Sequence, residues 1–240
     1  MLKKITFFVF LISFTACTEL TNFGTAVLDS MAGGLTDEEV SGGLKEALEQ
    51  GILKGADIVS VTDGFYKNAA IKVLFPEDAQ KVMDVVSKVP GGDVLIDKFV
   101  LSLNRAAEDA AKGAKPIFVN AIKQLTFQDV MDILLGGNNL AATQFLERTT
   151  SQPLYDAFYP VVNQSLSKVK VPEAWEAVTN VYNRIPFQDP VTTDINKYVC
   201  DKALAGLFHM VGKEEQNIRK DPFARTTDLM KKVFAAQDNK

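Results

Sequence analysis

Apolar residues recur at three- and four-residue spacing along most of the chain, the pattern of helices that bury one face. The first run carries Leu44, Ala47, Leu48, Ile52 and Leu53. It opens at Thr36-Asp37-Glu38-Glu39, a capping box in which the Thr36 hydroxyl accepts from the Glu39 amide while the Glu39 carboxylate reaches back. Gly42-Gly43 and Gly51 are its weak points, and Asp63-Gly64 punctuates its end. Ile71-Lys72-Val73-Leu74-Phe75 is short, alternates and stops at Pro76, which reads as extended chain, with 168–171 as the other extended candidate. Helix resumes at Glu77.

Over 93–112, Ile96, Phe99, Val100, Leu103, Ala106, Ala107 and Ala110 form one stripe while Val94 and Leu101 fall on the opposite side. A helix apolar on two sides is expected at the centre of a fold. Pro116 opens a helix to 125, Thr126 N-caps the next with Asp129 three residues on, and Gly136-Gly137 close it. Further helices are expected over 140–148, 154–168, 173–184, 194–219 and 227–236. About ten helices with short connections predict an all-α fold, a compact multi-helix bundle with at most a short extended segment near 71–75. It is expected to be a single domain over 36–236.

The first sixteen residues break this pattern. Met1-Leu2-Lys3-Lys4 precedes an apolar run from Ile5 to Phe14, then Thr15-Ala16-Cys17. A basic start and a ten-residue apolar stretch make a secretory signal, since a membrane-spanning helix needs about 20 apolar residues. The stretch into Cys17 resembles a bacterial lipobox, in which a small residue precedes a cysteine that is acylated and becomes the new N-terminus; Phe14 stands where that pattern usually has leucine. Ordinary cleavage with a free Cys17 is the alternative, but it prefers a small residue at the Phe14 position. Lipidation at Cys17 is therefore expected, with 17–35 as the tether.

Charge narrows the function classes. The 240 residues carry 26 basic and 30 acidic side chains. Removing the signal leaves 24 basic against 30 acidic residues, a net charge of −6. That balance argues against nucleic acid and against attachment through anionic headgroups, so the lipid must supply the membrane contact. Two cysteines and one histidine exclude a disulfide scaffold and a histidine-based zinc centre. No G-x-S-x-G, Walker-type, G-x-G-x-x-G, C-x-x-C or H-E-x-x-H pattern is present. No cofactor or metal is expected.

The candidate chemistry lies in charges set among apolar positions. On the helix from Asp194, Cys200 shares a face with Leu204, Leu207, Val211 and Ile218, whereas His209 falls on another face. Cys200 is therefore expected in the core, without a base beside it. Asn104, Arg105 and Glu108 sit on the 93–112 helix, and Glu214, Glu215, Arg219, Asp221 and Arg225 follow the core stripe of the 194–219 helix. Such groups are not buried singly, so they are expected to meet as ion pairs. The sharper alternative is a carboxylate-lined cavity of Glu108, Glu214 and Glu215, with Asp129 or Asp132, for a hard cation or an acid–base step.

At these residues a family likeness enters. The runs Asn104-Arg105-Ala106-Ala107-Glu108, Pro153-Leu154-Tyr155-Asp156-Ala157-Phe158-Tyr159-Pro160-Val161-Val162, and Lys202-Ala203-Leu204-Ala205-Gly206-Leu207-Phe208 through Glu214-Glu215 to Ile218-Arg219-Lys220-Asp221-Pro222 resemble, in order, the bacterial domain-of-unknown-function family 4197. The closing Arg225-Thr226-Thr227-Asp228-Leu229-Met230-Lys231-Lys232-Val233-Phe234 is similar to its C-terminal pattern. The likeness runs from about Leu35 to Phe234. It implies a secreted, often lipid-attached helical protein of Gram-negative bacteria, and it implies no activity to carry onto any position.

The resulting expectation is a lipid-anchored, non-enzymatic helical protein facing the periplasm, a binding or assembly module for an envelope partner or an apolar ligand. Thr18 is not the aspartate that resembles an inner-membrane retention signal, so the outer membrane is favoured. The alternative is an envelope hydrolase using the carboxylates around Glu108 and Glu214.

Overall fold

The computed structural model describes residues 34–235 and 238, apart from 89, 185, 187, 188, 192 and 193. The expected signal, Cys17 and all but the last two residues of the expected tether lie outside the described residues. Helix α1 (Asp37–Ser60) starts at the expected capping box: the Thr36 amide donates to Glu39 Oε2 at 2.8 Å and the Glu39 amide to Thr36 Oγ1 at 3.2 Å. Its glycines are contact points rather than weak ones. A Cβ at Gly43 would stand 2.5 Å from Val233 Cγ2, and one at Gly55 would stand 3.1 Å from the Val211 backbone nitrogen. Their absence lets the neighbouring helices close in, so α1 runs unbroken.

A single 3₁₀ turn (Glu77–Ala79) leads into α2 (Gln80–Val86) and then α3 (Gly92–Ala111). Only the C-terminal half of α3 is central, burying Leu103, Ala106, Ala107, Ala110 and Ala111. Its N-terminal turns lie at the edge, where Val94 and Leu95 are exposed. The two-sided apolar pattern thus marks a helix that passes from rim to core. Helices α4 (Ala114–Lys123) and α5 (Phe127–Leu135) follow, the latter with the expected Thr126–Asp129 capping box.

The structure replaces two expected helices, 140–148 and 154–168, with one, α6 (Ala141–Ser167), which contains Pro153 and Pro160. Leu146, Thr150, Leu154, Phe158, Val162 and Leu166 recur every fourth residue and are all buried. The two prolines sit seven residues apart on the exposed side. Burial of the stripe outweighs the two hydrogen bonds the prolines cannot donate. This fusion accounts for much of the difference from the ten or so helices expected.

Helix α7 (Val171–Tyr182) brings Trp175 onto Phe75 and Phe99 at centroid separations of 5.4 and 5.3 Å. Helix α8 (Ile195–Lys220), N-capped by Asp194, is the axis of the molecule and packs against α1, α3 and α6. A 3₁₀ turn (Pro222–Ala224) and α9 (Asp228–Ala235) close the described chain over α1. The described residues contain no strand, as expected of an all-α fold. Residues 71–75 pair instead with a side chain: Asn104 accepts from the Val73 amide at 2.9 Å and donates to the Val73 carbonyl at 2.7 Å. No described helix is long and apolar enough to cross a membrane.

Candidate functional site

The buried charged residues named from the sequence do not gather in one place. They occupy three stations, each at a point where main-chain groups need partners. At the first, Glu108 on α3 is buried with Oε1 accepting from the amides of Phe65 at 3.1 Å and Tyr66 at 3.2 Å. Its Oε2 accepts from Arg105 Nη1 at 2.6 Å, and Arg105 Nη2 reaches Asp63 Oδ1 at 2.6 Å. Lys67 closes on the other oxygen of Asp63 at 2.7 Å. The hydrogen bonds from Lys67 and then Arg105 hold the Asp63 carboxyl below the usual carboxylate range. Glu108, with Asp63 beside it, raises the Arg105 guanidinium. Asp63 itself has φ +70°, a left-handed conformation that a non-glycine residue adopts at a cost, and its two cations fix it there.

At the second station Glu215, on α8, caps α6. Its carboxylate accepts from the amides of Ala142 at 3.0 Å and Thr143 at 2.8 Å, and from the Thr143 hydroxyl at 2.7 Å. Arg219, one turn on, donates through Nε and Nη2 to Glu215 Oε1 at 2.9 and 2.8 Å and through Nη2 to the Ile133 carbonyl at 2.9 Å. The anion meets the donor end of α6 and the cation meets the acceptor end of α5, so both ends of the junction are neutralised from one face of α8. The preceding acid, Glu214, turns the other way and pairs with the half-exposed Lys54 of α1 at 2.7 Å.

At the third station Arg225 is buried and donates to the carbonyls of Ile218 at 3.0 Å and Arg219 at 3.1 Å, the last turn of α8. The same guanidinium grips Asp238 by both oxygens, at 2.7 and 2.6 Å, and holds its carboxyl below the usual range. Asp221 does not join this pair; it accepts from the Phe223 amide at 2.9 Å. Asp129 is engaged in its capping box, where the Thr126 hydroxyl and then the Thr126 amide depress its carboxyl, and Asp132 accepts from Gln128.

The thiol of Cys200 is fully buried and pushed up to about 12, chiefly by burial. A thiol held protonated in this way is not a nucleophile at neutral pH. His209 faces solvent on the same helix. Among the described residues no three His, Cys, Asp or Glu side chains come together at metal-binding distance.

Sequence reasoning missed the open concavity. A groove of about 490 Å³ lies between α4 and α6. Ile117, Ala121 and Phe145 are its half-buried walls, while Asn120, Gln124 and Thr149 stand exposed along its edges. Pro116, Thr150 and Pro153 complete the lining, so no ionisable side chain takes part. The side-chain amides of Asn120 and Gln124 bond to no other described side chain or backbone group. A signal was present in the sequence: Pro153, in a run periodic enough to be helical throughout, deprives the Thr149 carbonyl of its amide donor. The Arg148 guanidinium lies over the Phe145 ring, 5.4 Å from its centroid.

In comparisons with known proteins, the model of a family described as "protein of unknown function (DUF4197)" matches residues 34–235. No curated protein and no solved structure matches the chain.

Proposed function

The chain belongs to the DUF4197 family of proteins of unknown function, and from that premise we propose that it is a non-enzymatic binding or assembly module of the bacterial cell envelope, anchored by lipid at Cys17. The observation that supports this most is a division of labour among side chains. The buried acids and bases are committed to helix ends and loop amides, whereas the groove between α4 and α6 is open and uncharged. Acid–base chemistry needs a titratable group within reach of a substrate, and binding a neutral partner does not.

In this reading the mature protein faces the periplasm of a Gram-negative cell, on the outer rather than the inner membrane, with the acyl chains fixing it there. Each buried methylene contributes about 0.8 kcal/mol, so more than one chain makes attachment effectively permanent. The hydrolase alternative needs Glu108 and Glu214 to act together. Glu108 is enclosed by Arg105 and two amides and Glu214 is paired with Lys54, so the geometry gives it less support.

Two measurements on the full chain test the proposal. Metabolic labelling with palmitate should mark the wild type and not Cys17→Ala, and the labelled protein should fractionate with the outer membrane. Native mass spectrometry of protein extracted from its own envelope should show a retained ligand or partner. An unlabelled wild type in the aqueous phase, carrying nothing, would overturn it.

A further inference from the structure

We infer that Asp63-Gly64 is a site of spontaneous main-chain isomerisation, and that Lys67 and Arg105 are positioning residues that hold it closed while the protein is folded. This goes beyond the binding-module reading and does not depend on it. In the reaction the Gly64 amide nitrogen attacks Cγ of the Asp63 carboxyl, so that an N–Cγ bond forms and a Cγ–O bond breaks. The departing oxygen leaves as water, taking the carboxyl proton and the amide proton, and a succinimide ring remains. Water then opens the ring at either carbonyl, which restores aspartate or leaves isoaspartate with the main chain routed through Cβ and Cγ. One water leaves and one returns, and no oxidant, reductant or second substrate is needed. Glycine after aspartate leaves the attacking nitrogen unhindered, and the sequence contains one Asp-Gly pair and no Asn-Gly pair.

The fold requires both members of this pair. A Cβ at 64 would stand 2.3 Å from the Ile58 carbonyl oxygen and 2.9 Å from that of Val59, so only glycine fits there. Asp63 answers Arg105 and Lys67 and takes a left-handed φ of +70°. The same contacts restrain the reaction. An oxygen can leave as water only from the protonated carboxyl, and here Oδ1 lies 2.6 Å from Arg105 Nη2 and Oδ2 2.7 Å from Lys67 Nζ, which keep the group ionised and limit its rotation. The Gly64 amide, whose proton must be lost, donates to the Val61 carbonyl at 3.0 Å. Isomerisation would lengthen the chain by one methylene just before Phe65 and Tyr66, the two residues whose amides serve Glu108. Drawing them off would leave a buried carboxylate short of donors, so damage at this pair reaches the core of the first station.

The test ages the full chain at neutral pH, folded and in guanidinium chloride, and counts isoaspartate at 63 by peptide mapping with electron-transfer fragmentation, which separates the two isomers. The other aspartates all precede a residue with a side chain and act as internal controls. The unfolded chain should accumulate isoaspartate at 63 at least about tenfold faster than the folded wild type, because reaction in the folded state waits on local opening. Lys67→Ala alters a largely exposed side chain, so its melting temperature should stay near that of the wild type while its folded-state rate rises severalfold. Arg105→Gln added to it should bring the rate to about tenfold that of the wild type. Glu215→Ala, which lowers stability away from this pair, should leave the rate near the wild-type value. Melting curves establish which variants are folded, and Lys67→Ala alone decides the matter if the double variant is not. Equal rates in folded and unfolded wild type, or a folded Lys67→Ala that ages no faster than the wild type, would overturn the inference. So would an equal rise in Glu215→Ala, which would make the protection a matter of overall stability rather than of these two cations.

Discussion

The junction where α5 hands over to α6 and the groove between α4 and α6 lie along the same long helix, yet they use opposite materials. At the junction the side chains of an ion pair, Glu215 and Arg219, are buried against main-chain donors and acceptors. In the groove the polar edge groups are neutral amides left in water. The difference follows from desolvation. A buried charge is tolerable where a helix end returns what water would have given, and Glu215 has three such donors besides its arginine. A neutral amide waits in solvent at little cost and can exchange water for a partner. Charge here serves architecture, and neutrality marks the surface left open.

The largest break in that comparison should come from Glu215→Ala. It removes the charge opposite Arg219 and uncaps α6 together, and removing one member of a buried pair costs about 3 to 5 kcal/mol. Chemical denaturation should show this as a lowered midpoint with an unchanged slope. Glu214→Gln makes the internal control. Its partner Lys54 is half exposed, so the loss should stay below about 1 kcal/mol. Equal losses from the two neighbours would mean that the junction is not the stitch described. Glu108→Gln should fall between them, at about 1 to 3 kcal/mol, because the amide oxygen can still accept from Phe65 or Tyr66 while the charge opposite Arg105 is gone.

The helices were legible because their signals are local. The Thr36 and Thr126 caps and the three- and four-residue spacing on α8 are each contained within a few residues, and the burial of Cys200 followed from its helical face. The partners of the charged residues were less so. Arg105 meets Glu108 one turn away, as spacing predicts, but Asp63 lies 42 residues earlier and Glu215 meets amides more than 70 residues earlier. Amides more than 70 residues away carry no sequence signature of the acid they meet, so a reading by residue type paired acids only with bases. The groove escaped for a related reason. Its walls come from two helices, and the break expected between 148 and 154 is bridged because the burial of Leu154 and Phe158 carries one helix through Pro153.

Acid should affect the junctions before the groove. Asp63 and Asp238 have folded-state values below their unfolded ones, so between the two the unfolded chain binds more protons and stability rises with pH. Their contribution is complete above the unfolded value of about 4 and is lost as pH falls through the depressed ones. Thermal melts between pH 7 and pH 2 should therefore be flat with respect to these two groups down to about pH 4 and then fall. In Asp63→Asn the fall should be shallower, since one of the proton-linked contributions is missing while those of Asp109, Asp129 and Asp238 remain.

The smallest expected effect is the most telling. Asn120→Ala and Gln124→Ala remove amides that bond to no other described residue and lie on exposed positions, so each should change stability by no more than about 0.5 kcal/mol. Asparagine to alanine on a helix surface can even help, because alanine has the better helix propensity. A loss of 1 kcal/mol or more in either variant would show that the amide already supports the fold, and the contrast between a structural junction and an uncommitted groove would disappear. Near-neutral melts, set against the loss from Glu215→Ala on the same long scaffold, would establish that this chain keeps its polar groups in two separate employments, one holding helix ends together and the other available to a partner.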